Sequence, residues 1–308
     1  MKKILVLFLS LLALVFVACG KDKDIRDILD KEKISSEFNI VEENEKYFEF
    51  KDIDEKIILE INSKFDTKII GQNNVKEKLL INLYSNIKKL KTKPLILMFY
   101  GPSGVGKTET AKYLSEILGE KLFRKQFSMY QNNSFFDYVF GEKHGISSLA
   151  RDLLNRESNV ILFDEFDKAE STFYSAFYQL FDEGILIDKN YEVKLKNSII
   201  ICTSNYRNLL DIKKKLGEAI YSRFDDFIEF KTINYNDMAN IAKQMYEKNL
   251  IKLNLEEQKI IEESKIFNTI IDNIKKFYNV RQLEKIIIQL IAKELLKNKL
   301  NDFENMNN

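Results

Sequence analysis

The sequence predicts an α/β fold: a parallel five-stranded sheet covered by helices, followed by a small helical C-terminal domain. Three observations lead there. Apolar runs of strand length, "LILMFY" (95–100), "VILFD" (160–164) and "SIIICTS" (198–204), read as strands buried on both faces. Helical periodicity fills the stretches between them, and alternation of strands with helices implies parallel pairing. From residue 236 onward the periodicity is helical alone, which leaves about 70 residues for a separate domain.

Along the chain, residues 1–19 read as a leader or membrane anchor, 20–52 as a charged linker, 53–232 as the large domain and 233–308 as the small one. The leader carries Lys2 and Lys3, then 15 residues from Ile4 to Ala18 that are apolar except Ser10, then Ala18-Cys19-Gly20. That length suits a secretory leader and falls short of the roughly 18 residues of a spanning helix. Amphipathic helices are expected over 53–65 and 75–90. Pro94 closes the second, and the strand at 95–100 runs into a glycine-rich turn and a helix that Gly119 should stop. "KLFRKQFS" (121–128) and "DFIEF" (226–230) supply the remaining strands, and a hairpin is expected around Asp188 to Asn190.

Composition narrows the function. Lys plus Arg (48) nearly balances Asp plus Glu (47), so no basic field draws nucleic acid to the chain. Cys19 and Cys202 are the only cysteines, which excludes a disulfide framework and metal-ligand spacing, and Cys202 reads as a small buried hydrophobe. His144 is the only histidine, reads as a loop residue, and has no nucleophile elbow to support a triad.

The chemistry lies in two stretches. "GPSGVGKT" fits G-x-x-x-x-G-K-[ST] between a buried strand and a helix, so Gly101, Pro102, Ser103, Gly104, Val105 and Gly106 form a phosphate-binding turn. Lys107 then bridges the β- and γ-phosphates of ATP, and Thr108 holds Mg²⁺. The second stretch is "VILFDEFDKAE" (160–170), where four apolar residues run straight into Asp164 and Glu165. Ionised carboxylates at the end of a buried strand need a counter-charge. Asp164 meets that need by reaching the magnesium, and Glu165 beside it is placed to orient and deprotonate the attacking water.

With these motifs stand "IIGQ" (69–72), "LFDEGILIDKNYEVKLKNSIIICTSN" (180–205) and "RFDDFIEF" (223–230). Residues 69–230 together resemble the C-terminal ATPase module of the Clp class of AAA+ unfoldases, and the helical tail resembles that module's small domain. The resemblance implies a P-loop AAA+ fold, Mg²⁺-dependent ATP hydrolysis, protein substrates and assembly as a hexameric ring. It implies that Asn205, with Thr203 close by, positions the hydrolytic water. Arg223 matches the arginine finger given to a neighbouring subunit, although the family's Pro-Glu-Phe-x-Asn-Arg is "EAIYSR" here. Arg281 in "NVRQLEK" matches the small-domain arginine, Ile70 and the following Gly71-Gln72 sit against the adenine, and Tyr138-Val139 matches an aromatic substrate-gripping loop. The alternatives are a nucleic-acid-linked AAA+ ATPase of the loader type and a non-hydrolysing nucleotide-sensing scaffold.

Peptidase-coupled relatives carry an Ile-Gly-Phe or Ile-Gly-Leu docking loop. The stretch between Asn205 and Arg223 has no such tripeptide, so no Clp-type peptidase partner is expected. The leader resembles a bacterial lipoprotein signal with Cys19 as the acylated residue, and Phe16 stands where Leu is usual. Because the nucleotide site demands ATP, the expected placement is a membrane tether with a cytoplasmic ATPase domain, ahead of an exported lipoprotein or a leader misread from an early start codon.

Overall fold

A computed structural model describes residues 50–88, 93–129, 134–141 and 146–306. The leader with Cys19, nearly all of the proposed linker, and His144 lie outside the described residues. Among the described residues no helix is long and apolar enough to cross a membrane.

Five parallel strands form the sheet: β1 (Leu95–Tyr100), β2 (Phe123–Gln126), β3 (Val160–Asp164), β6 (Ile199–Ser204) and β7 (Asp226–Glu229), in the order β2-β3-β6-β1-β7. β4 (Ile185–Ile187) and β5 (Glu192–Lys194) make the separate antiparallel hairpin. Every residue of the three central strands is buried. The pleat sorts their continuous apolar runs onto two cores. Ile96, Met98, Ile161, Phe163, Ile200 and Cys202 face one core, whereas Leu95, Leu97, Phe99, Val160, Leu162, Ile199 and Ile201 face the other. Each large apolar side chain buried in this way contributes about 1.5–3 kcal/mol.

The helices follow from capping and periodicity. α1 (Glu55–Lys68) begins where the Asp54 carboxylate accepts from the Ile57 N–H, and it packs Ile57, Ile61 and Phe65 inward. α2 (Asn73–Ile87) buries Val75, Leu79 and Leu83 at four-residue spacing. It begins two residues ahead of the expected start, and residues 89–92 at its expected end are outside the description. α3 (Lys107–Leu118) runs between Gly106 and Gly119, both left-handed. α4 (Ser134–Phe140), α5 (Leu149–Leu154), α6 (Tyr178–Glu183), α7 (Leu209–Leu216) and α8 (Glu218–Tyr221) complete the large domain. β2 is shorter than "KLFRKQFS" suggested, because Phe127 turns into a short 3-10 helix and buries its ring against Phe163, Phe166 and Phe177.

The tail holds α9 (Tyr235–Leu250), α10 (Leu255–Glu263), α11 (Ile266–Asp272) and α12 (Val280–Met306). Met238, Ala242, Ile261, Ile270, Leu283 and Ile287 form a third core made of tail residues. α10 starts with a full capping box, in which Asn254 and Glu257 satisfy each other's backbone N–H. The tail nevertheless belongs to the same compact unit as the sheet, residues 48–308.

One expectation needs correcting. The segment around Tyr138 and Val139 is helix α4, not an open aromatic loop. Val139 is buried in the core, and the Tyr138 hydroxyl donates to Asp152 Oδ2 at 2.7 Å with Lys125 Nζ above its ring. The exposed aromatic there is Phe136, whose ring lies 4.5 Å from that of Phe140 one turn on. Helical spacing of Phe136, Val139 and Phe140 was the signal for this arrangement.

Candidate nucleotide site

The site sits at the carboxyl ends of the parallel strands, where β1, β3 and β6 deliver their last residues to one edge. The turn after β1 curls because glycine permits it. Gly101 has φ 131°, and a Cβ there would lie 2.1 Å from the Phe230 carbonyl oxygen. Phe230 is fixed in turn, since its N–H donates to Tyr100 O at 2.8 Å. Gly104 and Gly106 are also left-handed, so the turn reverses and enters α3 with no side chain capping the helix. Those uncapped first-turn N–H groups, with the Lys107 ammonium and the Thr108 hydroxyl next to them, form a donor set that suits a polyphosphate.

Gln72 holds this turn from behind. Its Nε2 donates to Val105 O and Lys231 O, and its Oε1 accepts from the Lys231 N–H, which ties the turn to the segment that follows β7. The Gln72 amide is thus engaged on both its nitrogen and its oxygen by backbone groups. Ile70 lines a polar cleft of about 550 Å³ between the turn ahead of α2 and helix α9, with Asp66, Asp237 and Lys243 among its walls.

Lys107 is buried, and its ammonium donates to Gly101 O at 2.6 Å, Pro102 O at 2.7 Å and Asn205 Oδ1 at 3.1 Å. Burial pulls its pKa down to about 8, against the opposing pull of the Asp164 and Asp167 carboxylates. Asn205, one residue past β6, therefore touches Lys107 directly. Arg281, on the first turn of α12, brings Nη1 to 3.4 Å from Ser103 Oγ, and the neighbouring Val280 N–H donates to Gly104 O. The helical tail thus reaches the turn through two adjacent residues.

At the end of β3, Thr203 on the adjacent strand is a hub. Its hydroxyl donates to Asp164 Oδ1 at 2.5 Å and accepts from the Glu165 N–H at 2.8 Å. Glu165 has φ 55°, the only left-handed non-glycine among the described residues. Such a conformation costs on the order of 1–3 kcal/mol and persists only where surroundings impose it. Here Thr203 holds the backbone, and Gln126 Nε2 donates to Glu165 Oε2 at 3.2 Å. Asp164 Oδ2 accepts from both Nε and Nη2 of Arg124. Asp167, two residues beyond Glu165, is buried with Oδ1 unpaired, and burial raises its carboxyl pKa while Lys168 opposes the shift.

Sequence reading missed Arg124 and Gln126. Both lie on β2 at a two-residue spacing that puts them on one face, and Gln126 pairs in register with Asp164. Arg223 lies elsewhere: its Nε donates to Asp182 Oδ2 at 2.8 Å, and its guanidinium stacks 4.4 Å over the Tyr178 ring. The Asp164 carboxylate and the Thr108 hydroxyl are hard oxygen donors, the ligand type that magnesium prefers.

Comparison with known proteins agrees with this geometry. Chaperone protein ClpB of Chlamydia trachomatis is 30% identical over 242 residues, an alignment covering 66% of this chain and 28% of that protein. ClpB of Mycoplasmoides gallisepticum is 28% identical over 229 residues, covering 66% and 32%. The ATP-dependent Clp protease ATP-binding subunit ClpL of Staphylococcus aureus is 30% identical over 207 residues, covering 59% and 30%. This chain thus spans about a third of the length of these relatives. Among solved structures, closed-state Hsp104 with ATPγS and FITC-casein superposes with a TM-score of 0.65 at 17% identity, covering 81% of this chain and 48% of that one, which shows a shared fold. Residues 93–258 match the family described as AAA domain (Cdc48 subfamily), and the chain belongs to that family of P-loop ATPases.

Proposed function

We propose that this protein hydrolyses ATP with Mg²⁺ to remodel or unfold other proteins, working as a ring. The observation that carries the reading is the Thr203 hub, which holds Asp164 and the strained Glu165 at one strand end, with Lys107 and Asn205 joined at the next. The N–H groups of the turn and the Lys107 ammonium bind the phosphates, and Arg281 closes on the turn from the small domain. Magnesium, held by Thr108 and Asp164, would neutralise charge on the transferring phosphoryl group. Glu165 takes the proton of the attacking water, and its backbone is fixed beforehand so that little reorganisation is needed.

Protein substrates are supported by the kinship with ClpB, named a chaperone, and by the fold shared with Hsp104, whose structure includes casein. A ring is supported by Arg223, whose partners all lie away from its own chain's phosphate-binding turn. The sequence between Asn205 and Arg223 lacks an Ile-Gly-Phe or Ile-Gly-Leu tripeptide, and on that ground we expect no Clp-type peptidase partner. We also place the domain in an ATP-containing compartment, with the apolar leader as a membrane tether.

Phosphate release by the full chain, with FITC-casein present, tests this. Glu165→Gln should bind ATP as wild type does, lose turnover by on the order of 10³-fold and retain casein. Unchanged turnover in Glu165→Gln removes the assigned base. Turnover without casein retention leaves an ATPase that does not act on unfolded protein.

A further inference from the structure

Arg124 has no role in the mechanism above, yet it donates two hydrogen bonds to Asp164, the carboxylate assigned to magnesium. It projects from β2, the edge strand, and places both Nε and Nη2 on one oxygen of Asp164, while Thr203 takes the other. An ionised carboxylate offers about four lone-pair positions. Arg124 and Thr203 fill three of them, and two of the three belong to the guanidinium.

The two partners differ in freedom. The Asp164 side chain is 8% exposed and pinned by Thr203, whereas the Arg124 side chain is 44% exposed at the sheet edge. Asp164 therefore stays where it is, and Arg124 is the partner able to swing into water. Its positive charge also repels any cation approaching the same carboxylate. Thr203 is needed to keep Glu165 in its left-handed conformation, so its hydrogen bond is not the one to yield.

We propose that Arg124 is a positioning residue that holds Asp164 as a counter-ion and competes with magnesium for Oδ2, so that metal is taken up together with nucleotide phosphates rather than alone. This rests on the nucleotide-site reading above. Its consequence is a magnesium requirement set by the chain's own guanidinium: the metal must either displace Arg124 or share the carboxylate with it.

The test uses the full-length protein and a fluorescent, non-hydrolysable ATP analogue, with affinity measured from zero to millimolar Mg²⁺. In Arg124→Gln the magnesium concentration giving half the full increase in affinity should fall by on the order of tenfold, while metal-free affinity stays within about twofold. Arg124→Lys, which keeps the charge but loses the fork, should lie between Arg124→Gln and wild type. It also serves as the probe if Arg124→Gln does not fold. A purely packing role would move both affinities together. An unchanged or raised magnesium requirement in the variants overturns the proposal. A wild-type protein whose analogue binding ignores magnesium overturns the nucleotide-site reading, and this proposal with it.

Discussion

The junction where the helical tail meets the phosphate-binding turn and the corner where α8 meets α6 each carry one arginine, and the two are held in opposite ways. Arg281 is exposed and touches Ser103 only at 3.4 Å, but it touches its own chain's nucleotide turn. Arg223 is ion-paired with Asp182, donates to the Ala219 carbonyl and lies over Tyr178, and all three partners are away from that turn. On the proposed function, the difference separates two uses of one residue type. A guanidinium that serves its own site can be loose, because covalent connection keeps it near. One that serves a neighbour gains from being oriented before the neighbour arrives, since less side-chain freedom is then lost on assembly.

The largest expected effect attacks the Arg223 side of this contrast. Arg223→Ala should lower ATP turnover by on the order of 10³-fold while nucleotide affinity stays near wild type. Mixing that variant with Glu165→Gln should restore part of the turnover, because some interfaces then pair an intact arginine with an intact base. Phosphate release that ignores mixing would place Arg223 outside the chemistry and collapse the distinction.

A smaller effect belongs to the junction. Arg281→Ala should weaken nucleotide binding by roughly tenfold, the loss of a charged hydrogen bond, and by the same factor at every protein concentration. A deficit that disappears at high protein concentration would give Arg281 an assembly role and merge the two cases.

Within one unit of pH 8 the effect of pH is no larger than that of Arg281→Ala. The Lys107 pKa is lowered to about 8, first by burial and in part by the Arg281 charge. Phosphates favour the charged lysine, so affinity should be flat below pH 8 and fall above it by up to about tenfold per pH unit. Folding stability runs the other way. The folded pKa lies below the unfolded one, so between about pH 8 and 10.5 the unfolded chain binds more protons and this lysine's contribution to stability rises with pH. In Arg281→Ala the break in affinity should move to higher pH; a break that stays in place would show that Arg281 does not act on Lys107.

Much of this was legible in the sequence because it depends on local pattern. The buried runs at 95–100, 160–163 and 199–202 are continuous and apolar, and at that length, rich in β-branched residues, they suit a strand covered on both faces. The turn at Gly101 was legible because its backbone needs glycine where a side chain would strike Phe230. Arg124 and Gln126 were not, because their meaning depends on the register that sets β2 beside β3, and a background rich in Lys and Asn hides single polar residues. The helix at Ser134–Phe140 is written in the spacing of Phe136 and Phe140, a signal that the likeness of Tyr138-Val139 to an aromatic loop motif hides.

Cys202 has a consequence for following the molecule in time. It pairs with Met98 on one side and Phe163 on the other, fully buried in the middle of the sheet, and burial raises its thiol pKa well above the ordinary value. Thiolate is the reactive form, so in the intact sheet this sulfur is doubly withheld from alkylating reagents, by access and by protonation. Its labelling rate is then a clock for separation of β6 from its neighbours, reading the opening of the central sheet without an introduced probe.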